Sequence, residues 1–243
     1  MPPRESETER LRGIVERARR LVFFGGAGVS TASGIPDFRS ADGLYAEETD
    51  GLTPEMILSK SFFYLHPAEF FDFYRKHMVC PDAKPNAAHR WLYEMEKRDT
   101  LRGIVTQNID GLHRLAGNRR VYEIHGSVHE NACMDCGRPY PLRKIMESEG
   151  IPRCDACGGV VKPSVVLYGE APDKYVCMGA CRELSNADTL IVAGTSLSVE
   201  PAASFLDFFR GRALAVINRE PTPADARADL VLRGDVAEIL GAL

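Results

Sequence analysis

Hydrophobic positions along the chain follow two patterns. Some recur at helical spacing, and others sit in short unbroken blocks that end in glycine or polar residues. Leu11, Ile14, Val15 and Ala18 share one face and predict an opening helix over 7–20. Trp91, Leu92 and Met95 do the same for a helix over 87–97. The block at 21–24 is apolar throughout, as buried strands of a parallel sheet are, and the blocks at 101–105, 189–193 and 213–217 read as further strands. Block 165–168 reads as a further strand that resumes the same sheet. The last two strands, with a helix from about 200 to 209 between them, form a βαβ unit. Segment 44–77 is rich in aromatics and reads as helical runs broken at Pro54 and Pro67. Strands and helices alternating in this way predict an α/β fold built on an open, mostly parallel sheet.

From 130 to 161 the texture changes. Apolar periodicity fades and cysteine and glycine take over, which marks a small inserted module. Four of the seven cysteines lie here as two C-x-x-C pairs, Cys133/Cys136 and Cys154/Cys157, with 17 residues between the pairs. Two such knuckles supply four thiolates at the spacing of a structural zinc site with no open position. Gly137, Gly158 and Gly159 are expected to allow tight turns with backbone N–H groups aimed at the sulfurs. His125 and His129 are nearby but are not needed as ligands. Cys80, Cys177 and Cys181 lack such pairing and read as free thiols.

Composition narrows the rest. With 44% hydrophobic and 26% charged residues, the 243-residue chain is ordinary for a globular protein. A net charge of −4 gives no reason to expect a non-specific nucleic-acid or membrane binder. No stretch approaches the roughly 18 apolar residues of a membrane helix. The polar start, MPPRESETER, lacks a signal peptide's apolar centre, so a cytoplasmic location is expected.

Candidate chemistry collects where strands end. Gly25-Gly-Ala-Gly28 follows the block at 21–24, and its small residues let backbone N–H groups approach a pyrophosphate. The turn lacks the G-x-G-x-x-G spacing and the Walker lysine, so alone it reads equally as a structural turn. Gly194-Thr-Ser196 and Asn218 with Glu220 follow two other strands, where the ligand crevice of such sheets lies. Thr106-Gln-Asn-Ile-Asp110 ends another, either as a ligand grip or as an Asx-capped turn. His125-Gly126 ends a further one, and histidine is the natural general base near neutral pH.

Together these segments resemble the sirtuin family of NAD-dependent protein deacylases. The resemblance rests on Gly26-Ala-Gly-Val-Ser30, Gly34-Ile-Pro-Asp-Phe-Arg39, Thr106 to Asp110, His125-Gly126, the four cysteines, Lys162 to Glu170, Gly194 to Leu197 with Pro201, and Val216-Ile-Asn218. They keep the family's order and span about residues 20 to 235. Val29 and Tyr168 stand where Ile and Phe are common, and neither removes a functional group.

The resemblance implies a Rossmann-like lobe over 1–40, 83–126 and 162–243. A smaller lobe would combine a helical module, 41–82, with a zinc ribbon, 127–161. It implies NAD as a consumed co-substrate and one structural zinc ion on Cys133, Cys136, Cys154 and Cys157. It further implies removal of acetyl groups from protein lysines, giving nicotinamide and 2′-O-acetyl-ADP-ribose. The catalytic residues would be His125, as base, and Asn108. Gly26, Ala27, Gly28, Thr31, Asp37, Phe38, Arg39 and Tyr45 would surround the pyrophosphate and nicotinamide ribose. Gln107, Asn108, Ile109 and Asp110 would line the nicotinamide side. Gly194, Thr195, Ser196, Asn218, Glu220 and Asp235 would hold the adenosine half. Val166 and Tyr168-Gly169-Glu170 would pair with the substrate backbone as an added strand. Family members that prefer succinyl or malonyl groups carry a Tyr-x-x-Arg pair. Phe71 and Tyr74 occupy those positions here, so uncharged acyl groups are expected, acetyl first, with Arg75 one residue away. The partners implied are acetylated proteins, without membrane or specific nucleic acid, and the chain is expected to be a monomer.

Two other readings remain open on the sequence. One is a zinc-ribbon binding module on an inert scaffold, although Arg138, Arg143, Lys144 and Arg153 are interspersed there with Glu130, Asp135, Glu147, Glu149 and Asp155. The other is an ADP-ribosyltransferase using the same ribose chemistry.

Overall fold

The structure is a computed structural model and describes residues 5–37, 51–198 and 202–243. In chain order the elements are α1 (Glu5–Arg17), β1 (Leu21–Gly25), α2 (Pro54–Ile57), α3 (Lys60–Leu65), α4 (Pro67–Phe73), α5 (Ala87–Lys97), β2 (Leu101–Thr106), α6 (Leu112–Leu115), β3 (Val121–Glu123), β4 (Gly126–Cys133), β5 (Pro139–Tyr140), α7 (Leu142–Met146), β6 (Val161–Val165), α8 (Lys174–Asn186), β7 (Thr189–Ala193), β8 (Ala213–Ile217), β9 (Leu230–Leu232) and α9 (Val236–Gly241).

Six strands form one parallel sheet in the order β3-β2-β1-β7-β8-β9. Why the strand blocks are apolar on both sides follows from the packing. Leu21, Phe23, Ile191, Ala193, Ala215 and Ile217 point to one face, into a core closed by α1, α5 and α9. Their sequence neighbours Val22, Phe24, Leu190, Val192, Leu214 and Val216 point to the other, against α8 and the 3-10 segment Ala203–Phe208. A strand buried on both faces has no polar positions to alternate with. From β1 the chain first builds outward through β2 and β3, then returns to the far side of β1 for β7, β8 and β9. The order therefore reverses between β1 and β7, where open α/β sheets leave a crevice beyond the strand ends.

A second sheet, β5-β4-β6, is antiparallel and three-stranded. Its apolar face and helices α2 to α4 share a third core, in which Phe63, Phe70, Phe71, Tyr74, Val128, Ile145, Val161 and Leu167 are buried.

Several expectations need correction. Segment 165–168 does not resume the large sheet. β6 ends at Val165 and pairs with β4, because β4 carries the chain out of the large sheet into the insert and β6 carries it back alongside. Pro54 and Pro67 open helices α2 and α4 rather than break them, since proline at a first helical position gives up an N–H that has no partner there anyway. Thr53 caps α2 by accepting from Met56 N–H. Helix α1 stops at Arg17, and the Arg19 N–H turns to the Asp188 carboxylate. The segment expected as a helix over 200–209 is a 3-10 stretch, Ala203–Phe208, and 199–201 lie outside the described residues. The helix over 87–97 appears with those bounds, capped by the Asn86 side chain. Helices α8 and α9 and strand β9 went unforeseen.

Candidate active site

A cavity of about 590 Å³ opens at the reversal point of the large sheet. Each strand end contributes: Gly26–Gly28 after β1, Gln107–Ile109 after β2, His125 after β3, Gly194–Ser196 after β7 and Asn218–Glu220 after β8. The return from the second sheet, 165–170, forms the opposite wall with Leu58 and Met78.

The turns after β1 and β7 meet backbone to backbone. A Cβ on Gly28 would lie 2.8 Å from Gly194 Cα, and one on Gly26 would lie 2.7 Å from Thr195 Cβ. The glycines thus serve the crossing of two turns as much as a ligand. Gly26 N–H donates to Ala193 O at 3.2 Å and Gly28 N–H to Gly194 O at 2.9 Å. Ala27 N–H is the one of the three left without a partner among the described residues, so the expected cluster of N–H groups reduces to that donor. Thr31 Oγ1 donates to Gly28 O. Thr31 and Asp37 line the cavity. Phe38, Arg39 and Tyr45 lie outside the described residues.

Beyond β2 the polar side chains are tied into one network. Asn108 Nδ2 donates to Ser30 Oγ at 3.0 Å, and the Ser30 hydroxyl donates to Asp110 Oδ2 at 2.7 Å. Asp110 Oδ1 accepts from Leu112 N–H at the start of α6. Asn108 reaches the cavity, whereas Asp110 stands behind it. Ser30, 1% exposed, is a residue the candidate set omitted. Its signal was position alone, at the end of the glycine turn. Gln107 Nε2 donates to Thr195 Oγ1 at 2.8 Å, joining the ends of β2 and β7.

His125 faces the cavity with its ring oriented. Its Nδ1 lies 3.1 Å from Gln107 O, an acceptor only, so Nδ1 carries the proton and Nε2 is the bare nitrogen. Burial holds its pKa below the ordinary histidine value, and the Gln107 carbonyl opposes this less strongly. The imidazole is therefore neutral at neutral pH and able to accept a proton. Gly126 follows at φ 76, and a side chain there would run into the Ser164 carbonyl.

Among the residues expected to hold adenosine, Asn218 Nδ2 donates to Glu220 O at 2.8 Å, and Ser196 Oγ lies 2.7 Å from Ser198 Oγ. Asp235 does not line the cavity. It caps α9 by accepting from Ala237 and Glu238 N–H groups and pairs with Arg219 at 2.8 Å. Arg219, Gly234, Val236, Leu58, Met78 and Pro172 line the cavity without having been singled out. Among the described lining residues Arg219 is the one permanent cation. Val166, Tyr168, Gly169 and Glu170 all line the opposite wall.

The four cysteines come together as expected, with all ligand atoms within 4.8 Å of one another. Cys133 and Cys157 sulfurs are 3.4 Å apart, and Cys136 and Cys154 sulfurs 3.7 Å. A tetrahedron with Zn–S bonds of about 2.3 Å has sulfur–sulfur edges of about 3.8 Å, so the donor set fits a structural zinc ion. Gly137 and Gly158 N–H groups close the knuckles onto Cys133 O and Cys154 O rather than onto sulfur. Other N–H groups reach sulfur: Ala156 lies 3.4 Å from Cys154 Sγ, and Gly159 N–H, as expected, meets the Cys157 sulfur. The Tyr140 hydroxyl donates to the same sulfur at 3.2 Å.

A three-layer α/β sheet with a ligand cavity at its reversal point, an oriented neutral imidazole and a four-cysteine ribbon defines a nucleotide-using enzyme with an inserted zinc module. The Sir2 family model matches residues 26–201, and the chain belongs to that family. It is 50% identical over 239 residues to an NAD-dependent protein deacetylase of Clostridium perfringens, covering 98% of both chains. It is 53% identical over 236 residues to one of Cutibacterium acnes, covering 97% of this chain and 96% of that one. A solved Sir2 complex with a deacetylated p53 peptide and 3′-O-acetyl ADP-ribose superposes with a TM-score of 0.88 at 35% identity, covering 96% of both chains.

Proposed function

We infer that this chain is an NAD-dependent protein deacetylase. It moves the acetyl group of an acetylated lysine side chain to ADP-ribose, with nicotinamide, free lysine and 2′-O-acetyl-ADP-ribose as products and water consumed. The observation that carries the reading is His125, a neutral base with a fixed tautomer at the wall of the cavity beneath the strand ends. NAD, when bound, supplies a ribose carbon activated by its nicotinamide leaving group.

This chain's residues have separable tasks. His125 Nε2 takes a proton from a ribose hydroxyl, while the Gln107 carbonyl keeps Nδ1–H out of the reaction. Asn108 presents a buried amide to the nicotinamide side, held in orientation by Ser30 and, behind it, Asp110. Ala27 N–H and the small turns around it leave room for the pyrophosphate. Asn218 and Glu220 meet the adenosine ribose. Val166 and Gly169 offer backbone to the substrate peptide. Tyr168 offers its side chain only, because its N–H already donates to Leu58 O and its C=O accepts from Lys60 N–H.

Acetyl preference follows from what the acyl end lacks. Phe71 and Tyr74 are fully buried in the aromatic core, outside the cavity lining. Arg75 is held by Asp72 at 3.0 Å and by Gly150 O at 2.8 Å. No cation from these positions awaits an acyl carboxylate. The reading places the enzyme in a reducing compartment, the cytoplasm, because the ribbon's thiolates must stay unoxidised. On this reading the chain divides into two lobes, 1–40, 83–126 and 162–243 against 41–82 and 127–161, except that β6, which pairs with β4, goes with the smaller one.

Mass spectrometry of an acetyl-lysine peptide, with and without NAD and beside His125→Ala, tests the reading. Loss of the acetyl mass only with NAD and only in the unaltered enzyme is expected, with acetyl-ADP-ribose appearing in step. Preference for a succinyl peptide would overturn the acyl assignment. Transfer of ADP-ribose to protein without deacetylation would overturn the reading itself.

A further inference from the structure

We propose that Lys162 and Glu170 are positioning residues that set the geometry of the peptide-binding wall, an inference that rests on the deacetylase reading. The wall runs from Val166 to Gly169. At its start Val166 N–H donates at 2.9 Å to His125 O, the carbonyl of the residue that carries the catalytic ring. At its far side Tyr168 N–H donates to Leu58 O at 3.0 Å and Lys60 N–H to Tyr168 O at 2.8 Å, a parallel bridge to the helical module. The strip is thus suspended between the base and the helices, and its shape depends on what braces it from within.

That brace is a turn locked twice. Glu170 N–H donates to Leu167 O at 2.8 Å, closing a β-turn whose third residue, Gly169, has φ 86. In the opposite sense, Leu167 N–H donates to Glu170 Oε2 at 3.0 Å. The same oxygen accepts from Lys162 Nζ at 3.1 Å. Lys162 also donates to Pro163 O and Val165 O, both at 3.2 Å, so its three donors have three acceptors. Its ammonium lies 5.8 Å from the Phe63 ring centre, which links the clamp to the helical core. The side chains are 15% and 21% exposed, so solvent screens the pair less than a surface pair. Although Glu170 lies along the cavity, its Oε2 is folded back into its own turn. Its task is to fix the Leu167–Tyr168 turn, so that the backbone of the flanking Val166 and Gly169 lies where a peptide strand must find it.

The test compares Glu170→Ala, Glu170→Gln, Lys162→Met and Lys162→Arg in the full-length, zinc-loaded enzyme. Expected is a rise in peptide KM of about tenfold for Glu170→Ala and for Lys162→Met, with kcat lowered far less and the KM for NAD within about twofold. Glu170→Gln keeps an acceptor oxygen and should fall between, and Lys162→Arg keeps the charge and should recover most of the loss. Amide exchange at Leu167, which needs no turnover, should quicken in Glu170→Ala and Lys162→Met. If Glu170→Ala folds poorly, Glu170→Gln carries the comparison. Unchanged peptide KM, parallel rises in both KM values or unaltered Leu167 exchange would each overturn the proposal. A wild type unable to deacetylate would sink the deacetylase reading alone, because Leu167 exchange still decides whether the clamp exists.

Discussion

At His125 the identity of the side chain matters less than the bond on its far nitrogen. Because Nδ1–H is committed to Gln107 O, Nε2 is the nitrogen left to react on the deacetylase reading. The working form is unprotonated, and burial lowers the pKa below 6.5. The rate should therefore rise with pH along an acid limb that lies below 6.5, and this ionisation should leave pH 7 to 8 flat. A kcat/KM profile with its limb above 6.5 would contradict the assignment. His125→Ala should lose on the order of a hundredfold or more in rate. Gly126→Ala should be nearly as damaging at a distance from the chemistry, since its Cβ would displace the Ser164 carbonyl and with it β6. Activity close to wild type in that variant would show that the two strands can part without moving His125. Asp235 belongs here as well. Asp235→Ala should cost about 1 kcal/mol in a denaturant melt as a lost helix cap. A loss of NAD affinity with unchanged stability would restore the ligand role instead.

Among the elements, the ribbon and the aromatic module deserve to be considered together because they share a core. Phe63 and Phe70 meet edge to face at 4.9 Å, and Phe70 stacks on Tyr74 at 5.7 Å. In this cluster the Tyr74 hydroxyl is buried with no partner among the described residues. Burial alone raises its pKa far above the ordinary tyrosine value. An orphaned hydroxyl costs about 1–3 kcal/mol, so Tyr74→Phe should stabilise the protein and raise Tm by a few degrees. A lowered Tm would mean that the hydroxyl has a bonded water. Zinc removal acts on the same core from the other side. The ribbon's small sheet holds Val128, Val161 and Val165, and its strand β4 holds the active-site loop through Val128 N–H to Ile109 O at 2.9 Å. Chelation should lower Tm and activity together, with both restored on adding zinc.

Over the whole molecule, stability should depend on pH through histidines remote from catalysis. His89 and His113 are buried with ring centres 4.7 Å apart. Burial pushes His89 down to about 4 and holds His113 well below 6.5. Below 6.5 the unfolded chain binds protons that the native chain refuses, so stability is full above about 6.5 and declines as pH falls toward 4. Thermal melts from pH 4.5 to 7.5 should show that slope, and His113→Leu should flatten it. An equal slope in the variant would place the acid sensitivity elsewhere. The sheet, the ribbon cysteines and most strand-end residues were legible in the sequence because each announces itself locally, through a block of apolar residues, a C-x-x-C spacing or a glycine after a strand. What stayed hidden depends on contacts far along the chain. That β6 pairs with β4, that Asp235 caps a helix and that Glu170 turns back to Lys162 are facts of tertiary packing, and neither composition nor periodicity encodes them. Ser30 was quoted within a motif, yet its bridging of Asn108 and Asp110 spans about eighty residues of chain.

The crossing of the Gly26–Gly28 turn with Gly194 has a further consequence for anything designed to bind there. At that spot main chain touches main chain, so the surface offered to a ligand carries no side chain that substitution could trim or recolour. A compound gripping it would be hard to escape by point mutation, because replacing either Gly28 or Gly194 pushes the two turns apart and destroys the enzyme's own binding site along with the inhibitor's.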